Sequence, residues 1–226
     1  MSAGAFPVVV TPAYAARLSV DYPEHLDRLT TLFRLFLIIP IAIILSLVSG
    51  AGQTVTRTIV LNEAGEVLRT TRNTAGGLVS GLALATALMI LVRQRYPRWW
   101  FDFSRELTRF AYRVGAYLML ITDQYPSTVD EQAVHLEIDY PDVPHDLNRW
   151  LPLVKWLLAI PHYIILGLLG IGAFFAVVLA WVAILATGHY PRGLFDFVVG
   201  VGRWGLRVNA YAFLLVTDRY PPFSLH

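Results

Sequence analysis

The sequence predicts an all-α integral membrane protein built from two tandem repeats. Three observations lead to this fold class: the same short motifs occur twice in the same order, the composition is strongly apolar, and long apolar runs separate the motifs. Each repeat is expected to contain a short β-strand, a transmembrane helical hairpin and an interfacial amphipathic helix. This gives four transmembrane helices in total, together with a small cytoplasmic β element.

The duplication divides the chain into two membrane repeats, residues 12–126 and 133–223, joined by a linker at 127–132. An internal repeat is informative because each copy supplies one structural unit of the fold. The repeated motifs are Leu-Ser-Val-Asp-Tyr-Pro at 18–23 with Leu-Glu-Ile-Asp-Tyr-Pro at 136–141, Ile-Pro at 39–40 and 160–161, Tyr-Pro-Arg at 96–98 and 190–192, and Thr-Asp-x-Tyr-Pro at 122–126 and 217–221.

The composition favours a membrane protein. Hydrophobic residues make up 56% of the chain and charged residues 15%, against about 45–50% and about 25% in soluble domains. The absence of cysteine excludes disulfides, thiolate catalysis and cysteine metal sites. All but one of the 18 basic residues are arginine. This bias indicates either bidentate recognition of carboxylate or phosphate or simply a GC-rich genome.

Each repeat opens with a segment in which apolar and polar residues alternate, at 17–22 and 134–140. Alternation with a period of two is typical of β-strands. Each segment ends at a Tyr-Pro pair, and proline stops a strand because it has no backbone N–H to donate. We expect the two strands to pair with each other as a small sheet near the membrane.

Four apolar segments are predicted to cross the membrane, at residues 32–49, 75–92, 154–169 and 171–187. Each is about 25 Å long as a helix, which is at the short limit for a hydrocarbon core of about 30 Å. The last two segments are expected to form a hairpin that turns at Gly170-Ile171-Gly172.

Two features of these segments concern helix packing. Pro40 and Pro161 lie at matching places, and each removes a helix hydrogen bond. Each proline is therefore expected either to kink its helix or to mark the point where a tilted approach becomes a membrane span. Gly77, Gly81 and Ala85 recur every four residues. This small-residue face permits close approach of another helix, either within the chain or from a second copy.

The first hairpin has a long tip at 50–74, which the second repeat lacks. Its middle is expected to form a small β-hairpin that turns near Ala64-Gly65. Arg57, Arg69 and Arg72 lie on this tip, and the other basic residues lie on the side of both termini. The positive-inside rule then predicts an extracytoplasmic insertion, cytoplasmic termini and a multi-pass location in the inner (cytoplasmic) membrane.

A long amphipathic helix is expected after each apolar hairpin, at the membrane interface. Both copies carry an aspartate followed by arginines seven and eleven residues later on one face. These side chains have three interpretations: ion pairing between the repeats, contact with lipid head groups, or a catalytic or transport role. The residues are Asp102, Arg105, Arg109 and Arg113 in the first copy and Asp196, Arg203 and Arg207 in the second.

These motifs resemble the bacterial membrane family catalogued as domain of unknown function 4389. The resemblance rests on the Asp-Tyr-Pro opening, the Leu-(Asp/Asn)-Arg triplet, the Ile-Pro pair, the Tyr-Pro-Arg-Gly-Leu-Phe-Asp-Phe turn at 190–197 and the Thr-Asp-x-Tyr-Pro-Pro close at 217–222. The first repeat departs from this pattern at Trp99-Trp100 and at its long tip. The resemblance implies membrane topology for two tandem copies, and it implies no activity.

The sequence contains no recognisable Gly-rich phosphate loop, metal-spaced cluster or Ser-His-Asp arrangement. His162 lies deep in an apolar segment, and we expect it to bond a carbonyl freed by Pro161 or to lie at the interface. We therefore predict no enzyme activity, no catalytic residues, no cofactor, no metal and no nucleic-acid partner.

The expected function is that of a membrane scaffold or accessory subunit that assembles with itself or with a larger membrane protein complex, in contact with anionic lipids. The alternatives are an oligomeric channel or transporter and a lipid-binding, membrane-organising protein.

Overall fold

The computed structural model describes residues 14–49, 56–61, 67–73 and 78–226. The described chain is mostly helical, with eight helices and two small two-stranded sheets. The predicted turn near Ala64-Gly65 and the predicted packing residue Gly77 lie outside the described residues. The elements are β1 (Ala16–Val20), α1 (Arg28–Leu37), α2 (Ile39–Ser49), β2 (Thr56–Leu61), β3 (Val67–Asn73), α3 (Leu78–Arg93), α4 (Arg98–Leu118), β4 (Val134–Ile138), α5 (Val143–Asp146), α6 (Pro152–Leu158), α7 (Ile160–Thr187) and α8 (Arg192–Ala212).

The two opening strands, β1 and β4, pair with each other as predicted, and their pairing is antiparallel. Leu18 lies opposite Leu136 at the centre of the register, and both side chains are buried. These leucines occupy the same place in their repeats, so the sheet has a pseudo-twofold axis between them. Inside the insertion at 50–74, β2 and β3 form a second antiparallel pair, with Thr58 opposite Thr71.

Pro40 and Pro161 each lie in the first turn of a new helix. α1 gives way to α2 at Ile38, and α6 gives way to α7 at Ala159. The first turn tolerates proline because its backbone N–H groups have no partner within the helix. In the first repeat, the two helices meet at a bend of 51°. The prolines therefore begin new helices and do not kink continuous ones.

The hairpin predicted within residues 154–187 is wrong, because α7 is one helix of 28 residues. Gly170 and Gly172 lie inside it, and neither has a positive φ. A glycine in a helix interior costs about 1 kcal/mol relative to alanine, and no polar turn residue stands nearby to reverse the chain. The helix ends instead at Gly188, whose φ of +79° suits a glycine at this position.

Within the described residues, α7 is the one helix that is long and apolar enough by itself to cross a membrane. At 1.5 Å per residue it measures about 42 Å. α1 and α2 meet the same criterion together as a bent pair, and α3 is a shorter apolar helix. Four transmembrane helices are therefore not confirmed.

The first repeat lacks a continuous counterpart of α7 because of its insertion. Pro40 and Pro161 are 121 positions apart, whereas Tyr96 and Tyr190 are 94 positions apart. The 27 residues of difference lie where α7 runs unbroken. In sequence, α2 and α3 therefore correspond to the two halves of α7.

α8 runs antiparallel to α7 and packs against it. His162 near the start of α7 contacts Trp204, whereas Gly172 lies against Phe197, which is nearer the start of α8. α8 also packs against β1, and α4 packs against α2 and β4. Each amphipathic helix thus forms a middle layer between an apolar helix and the small sheet, and the helical hairpin of the second repeat consists of α7 and α8.

Candidate functional site

The interface between the repeats is formed by two segments that cross over. We call them arm 1 (residues 14–27) and arm 2 (residues 133–148). β1 lies in arm 1 and packs against α8 of the second repeat, whereas β4 lies in arm 2 and packs against α4 of the first repeat. Each repeat is therefore completed by the arm of the other.

Equivalent tyrosines bind each arm to the other repeat through a hydrogen bond. The Tyr22 hydroxyl donates to the carbonyl of Tyr190 at 2.5 Å, and the Tyr140 hydroxyl donates to the carbonyl of Tyr96. Each donor lies in the Asp-Tyr-Pro motif of one repeat, and each acceptor lies in the Tyr-Pro-Arg motif of the other. Two arginine guanidiniums cover the donor rings, Arg192 at 4.0 Å over Tyr22 and Arg98 at 4.7 Å over Tyr140.

Two arginines of the predicted stripe hold the sheet between the repeats. Arg203 Nε donates to the carbonyl of Leu18 at 3.1 Å, and Arg109 Nη2 donates to the carbonyl of Leu136 at 3.3 Å. Each arginine reaches across to the other repeat, but its partner there is a backbone carbonyl and not a carboxylate. Arg109 also forms an ion pair at 2.6 Å with Glu106 of its own helix.

Arg113 and Arg207 hold the chain that follows their helices. Arg113 Nη1 donates to the carbonyl of Ser127 at 2.6 Å, and Arg207 Nη1 donates to the carbonyl of His226 at 2.7 Å. Both side chains are buried, and burial lowers the pKa of both guanidiniums. Arginine nevertheless stays charged, because its pKa starts above 12.

The other members of the stripe lie nearer the surface. Arg105 pairs within α4, at 3.3 Å with Asp102 and at 3.1 Å with Glu106. Asp196 is exposed near the start of α8. Lipid head-group contact by the stripe stays a prediction. Arg105 is half-buried, whereas Arg113 and Arg207 are buried.

The small-residue face of α3 is open at Gly81, where an added Cβ would meet no atom within 4 Å. Ala85, one turn later, is half-buried. Packing of this face, within the chain or between copies, stays a prediction.

Sequence reasoning missed two equivalent buried ion pairs. Arg34 on α1 pairs with Asp123 after α4, and Lys155 on α6 pairs with Asp218 after α8, with Nζ and Oδ1 2.7 Å apart. Arg34 and Lys155 are only 2% and 0% exposed. The sequence did contain a signal for these pairs. A basic residue lies six positions before both Pro40 and Pro161, and each Thr-Asp-x-Tyr-Pro motif supplies an aspartate.

The same two carboxylates also bind the ends of the arms. Asp123 Oδ2 accepts the backbone N–H of Asp27 at 2.7 Å, and Asp218 Oδ2 accepts that of Asn148 at 2.5 Å. Asp27 in turn caps α1 through the N–H of Leu29 at 2.9 Å. Each carboxylate therefore holds three segments together: one arm, one apolar helix and the end of one amphipathic helix.

His162 belongs to an aromatic cluster in the second repeat. Its Nδ1 accepts the indole N–H of Trp204 at 3.1 Å, and its ring stacks on Phe223 at 4.1 Å. The partner expected from the sequence was a carbonyl freed by Pro161, and Trp204 replaces it.

Among the described residues, no group of three His, Asp or Glu side chains is placed to hold a metal ion.

The repeated motifs and the repeated contacts agree with a comparison to known families. A family model described as a domain of unknown function (DUF4389) matches residues 73–129 and 150–224. The chain belongs to the DUF4389 family. The two matched segments cover α3 with α4 and α6 to α8, as expected for two tandem DUF4389 copies. No curated protein and no solved structure matches the chain.

Proposed function

We propose that this DUF4389 protein is a non-enzymatic integral membrane scaffold or accessory subunit. It lies in the bacterial inner membrane as a multi-pass protein with both termini in the cytoplasm. It assembles with itself or with a larger membrane protein complex, in contact with anionic lipids. The observation that supports this proposal most is the apolar outer layer of the molecule.

Large apolar side chains are exposed along α1, α2, α6 and α7. Only 22% of the most apolar stretch of α7 is buried inside the molecule, whereas a helix that is apolar all round is normally buried in a protein core or a membrane. An exposed apolar surface of this extent is typical of contact with lipid or with another protein. The residues include Phe33, Phe36, Ile43, Leu47, Trp156, Ile164, Leu168, Phe174, Phe175 and Leu179.

Exposed tryptophans beside arginines support a position at the membrane–water interface. Trp99 follows Arg98 at the start of α4, and Trp150 follows Arg149 just before α6. Indole rings are enriched at the level of the lipid head groups, where one edge stays apolar and the N–H stays wet.

The buried charged side chains of the described residues all serve contacts within the chain. Arg34 and Lys155 form ion pairs, and Arg113 and Arg207 hold backbone carbonyls. Side chains engaged in this way are not poised as an acid, a base or a nucleophile, which supports a non-enzymatic role.

Native extraction tests the proposal. The protein is extracted in mild detergent or nanodiscs, its mass is determined, and co-purifying chains are identified. We expect a homo-oligomer or a discrete complex with other membrane proteins. A strictly monomeric protein that retains no partner would overturn the proposal.

The absence of cysteine permits a site-specific version of this experiment. Phe175→Cys places one thiol on the exposed side of α7, and Asp130→Cys places one on the exposed linker as the matched control. We expect cross-linking in membranes to form adducts with a neighbouring chain from position 175 and not from position 130. Equal yields at the two positions would indicate random collision.

The two alternatives remain predictions with their own tests. An oligomeric channel or transporter predicts ion or solute flux across liposomes that contain the purified protein. A lipid-binding, membrane-organising protein predicts that vesicle binding depends on anionic lipid.

A further inference from the structure

A cavity of about 170 Å³ lies between α2, α3, α4 and the end of α8. Most of its wall is apolar, and no charged side chain lines it. One part of the wall is polar and is lined by the amide-bearing Asn209 and by five hydroxyl-bearing residues, Thr86, Tyr96, Ser104, Thr108 and Tyr112.

Four of these hydroxyls already donate hydrogen bonds within the protein. Among them, the Tyr112 hydroxyl donates to the carbonyl of Gly202 at 3.3 Å. Thr86 Oγ1 donates to the carbonyl of Leu82 at 2.8 Å and accepts the indole N–H of Trp100 at 2.8 Å. Ser104 Oγ donates to the carbonyl of Trp100 at 2.8 Å, and Thr108 Oγ1 donates to the carbonyl of Ser104 at 2.7 Å. These side chains retain lone pairs, but they have no free donor for a ligand.

Tyr96 is different, because its hydroxyl makes no hydrogen bond of good geometry among the described residues although the side chain is only 3% exposed. The hydroxyls of Ser104 and Thr86 lie close enough to it to affect its pKa. Burial raises the pKa of Tyr96 to about 12, and the nearby hydroxyls of Ser104 and Thr86 offset part of this rise. The phenol is therefore neutral at physiological pH. It is a buried donor on the wall of the cavity.

The hydroxyl cluster exists in the first repeat only. At the equivalent positions of the second repeat, Ala180 replaces Thr86 and Leu194 replaces Trp100. Val198 and Gly202 replace the serine and threonine of α4. The hydroxyl cluster therefore occurs only in the repeat where α2 and α3 take the place of the continuous α7.

We infer that this cavity binds the carbonyl group of a neutral, membrane-partitioned amphiphile, with Tyr96 as the hydrogen-bond donor. The uncharged lining disfavours an ionic head group, because a buried charge needs a partner. The volume equals that of about five or six water molecules at about 30 Å³ each. It therefore accepts a ring or an ester group and not a whole lipid.

Access from the lipid side follows from the lining. Leu45 of α2, Leu82 of α3 and Leu107 of α4 are half-buried at the cavity. Their helices expose further apolar side chains, such as Ile43 and Leu84. This route rests on the membrane insertion that is part of the proposed function.

Two kinds of molecule supply a carbonyl on an apolar chain, a quinone ring and the acyl ester of a glycerolipid.

The test uses the full-length protein in nanodiscs of an ether-linked phosphatidylcholine, which has no ester carbonyl of its own. A decyl-substituted 1,4-benzoquinone and a dioctanoylglycerol are titrated separately, and tryptophan fluorescence and the unfolding temperature are recorded. Tyr96→Phe removes the donor. Tyr190→Phe is the matched control, because Tyr190 is the equivalent buried residue and its hydroxyl also makes no hydrogen bond of good geometry among the described residues.

We expect one probe to give a saturable response and to raise the unfolding temperature of the wild type and of Tyr190→Phe. In Tyr96→Phe the half-saturating concentration should rise about tenfold, the effect of one lost hydrogen bond. The probe that responds identifies the source of the carbonyl. If Tyr96→Phe does not fold, Ala111→Leu, which narrows the same cavity from α4, should raise the half-saturating concentration instead.

Two results would overturn the inference: neither probe saturates in the wild type, or the variant binds as well as the wild type. Resistance of the protein to alkaline extraction from native membranes is measured alongside. An inserted protein that binds neither probe rejects the cavity and leaves the scaffold proposal standing. A protein released by alkali rejects both.

Discussion

At the scale of single residues, charged side chains form hydrogen bonds with the two-stranded sheet and with the ends of the arms, which have few backbone hydrogen bonds of their own. Arg203 and Arg109 bind carbonyls of the two-stranded sheet, and the carboxylates of Asp123 and Asp218 bind the ends of the arms. Hydrogen bonds to charged groups contribute about 1.5–3 kcal/mol each. The polar face of each amphipathic helix is therefore largely an internal surface of the molecule.

Asp218→Asn is expected to destabilise the protein by about 3–5 kcal/mol, because it leaves Lys155 buried without its counter-charge. The double variant Lys155→Met with Asp218→Asn should be less destabilised than the single variant. Denaturant unfolding in detergent measures both free energies.

The control for this prediction is an exposed pair. Arg17 pairs with Glu137 at 3.1 Å on the surface of the sheet, so Glu137→Gln should cost only about 0–1 kcal/mol. Equal losses for Glu137→Gln and Asp218→Asn would contradict the assignment of Lys155 and Asp218 as a buried pair.

Arg203→Gln separates a structural role from a lipid role for the arginine stripe. We expect it to lower the free energy of unfolding by about 1.5–3 kcal/mol, because the charged bonds to Leu18 and Leu225 are lost. Arg105→Gln, whose contacts lie within one helix, should cost about 0.3–0.5 kcal/mol. Unfolding in detergent gives these values.

Vesicles that contain phosphatidylglycerol provide the second readout for the same two variants. If Arg105 contacts head groups, Arg105→Gln weakens vesicle binding while stability is kept. Weaker binding by Arg203→Gln without loss of stability would instead place Arg203 at the lipid surface.

At the scale of elements, α7 and α8 form the helical hairpin of the second repeat. α7 buries Ala173, Ala176 and Ala180, which are small and allow neighbouring elements to approach closely. Its large apolar side chains remain outside. An amphipathic helix and an apolar helix thus share one interface, and the sheet covers α8 on the side of Arg203.

Gly170→Ala tests the continuity of α7. In a helix with free space at this position, alanine should stabilise the protein by about 0.5–1 kcal/mol. In a hairpin that turned at this glycine, the same change would be destabilising. Thermal unfolding in detergent distinguishes the two outcomes.

Gly188→Ala is the matched control for the end of the same helix. Its φ of +79° is left-handed, which costs about 1–2 kcal/mol for a residue with a Cβ. We therefore expect opposite signs for the two substitutions. The same sign for both would contradict the observed end of α7.

At the scale of the whole molecule, the crossed arms make the two repeats interdependent. Arm 1 completes the second repeat and arm 2 completes the first, around the axis between Leu18 and Leu136. Neither copy keeps its full set of contacts alone. The apolar helices then face outward together, which is the arrangement expected of a membrane-embedded unit.

The predicted membrane topology rests on the distribution of arginine along the sequence. Glu131→Cys lies in the linker predicted to be cytoplasmic, and Asn62→Cys lies in the insertion predicted to be extracytoplasmic. We expect a membrane-impermeant maleimide to label position 62 in intact cells and position 131 only after permeabilisation. Labelling of both positions from the same side would show that the apolar helices lie in the membrane without crossing it between these two residues.

Much of the architecture can be read from local patterns. Alternation at 17–22 and 134–140 predicts the strands, the 3.6-residue periodicity predicts α4 and α8, and the repeated motifs predict two equivalent copies and their family. The strands and helices depend on neighbours within a few residues along the chain, and the repeats are visible because the same motifs recur in the same order. The hairpin turn predicted at Gly170-Ile171-Gly172 is wrong, because glycine permits a turn but does not require one.

By itself, the sequence determined the repeats, the family, the apolar character and the position of each amphipathic helix, because these properties are periodic or compositional. The tertiary structure alone decided which partners those elements take: the crossing of the arms, the pairing of Lys155 with Asp218, the carbonyl partners of the arginines and the buried hydroxyl of Tyr96. The physical reason is that each such contact joins residues far apart in the chain, and a residue pattern states which side chains are polar without stating which of them meet.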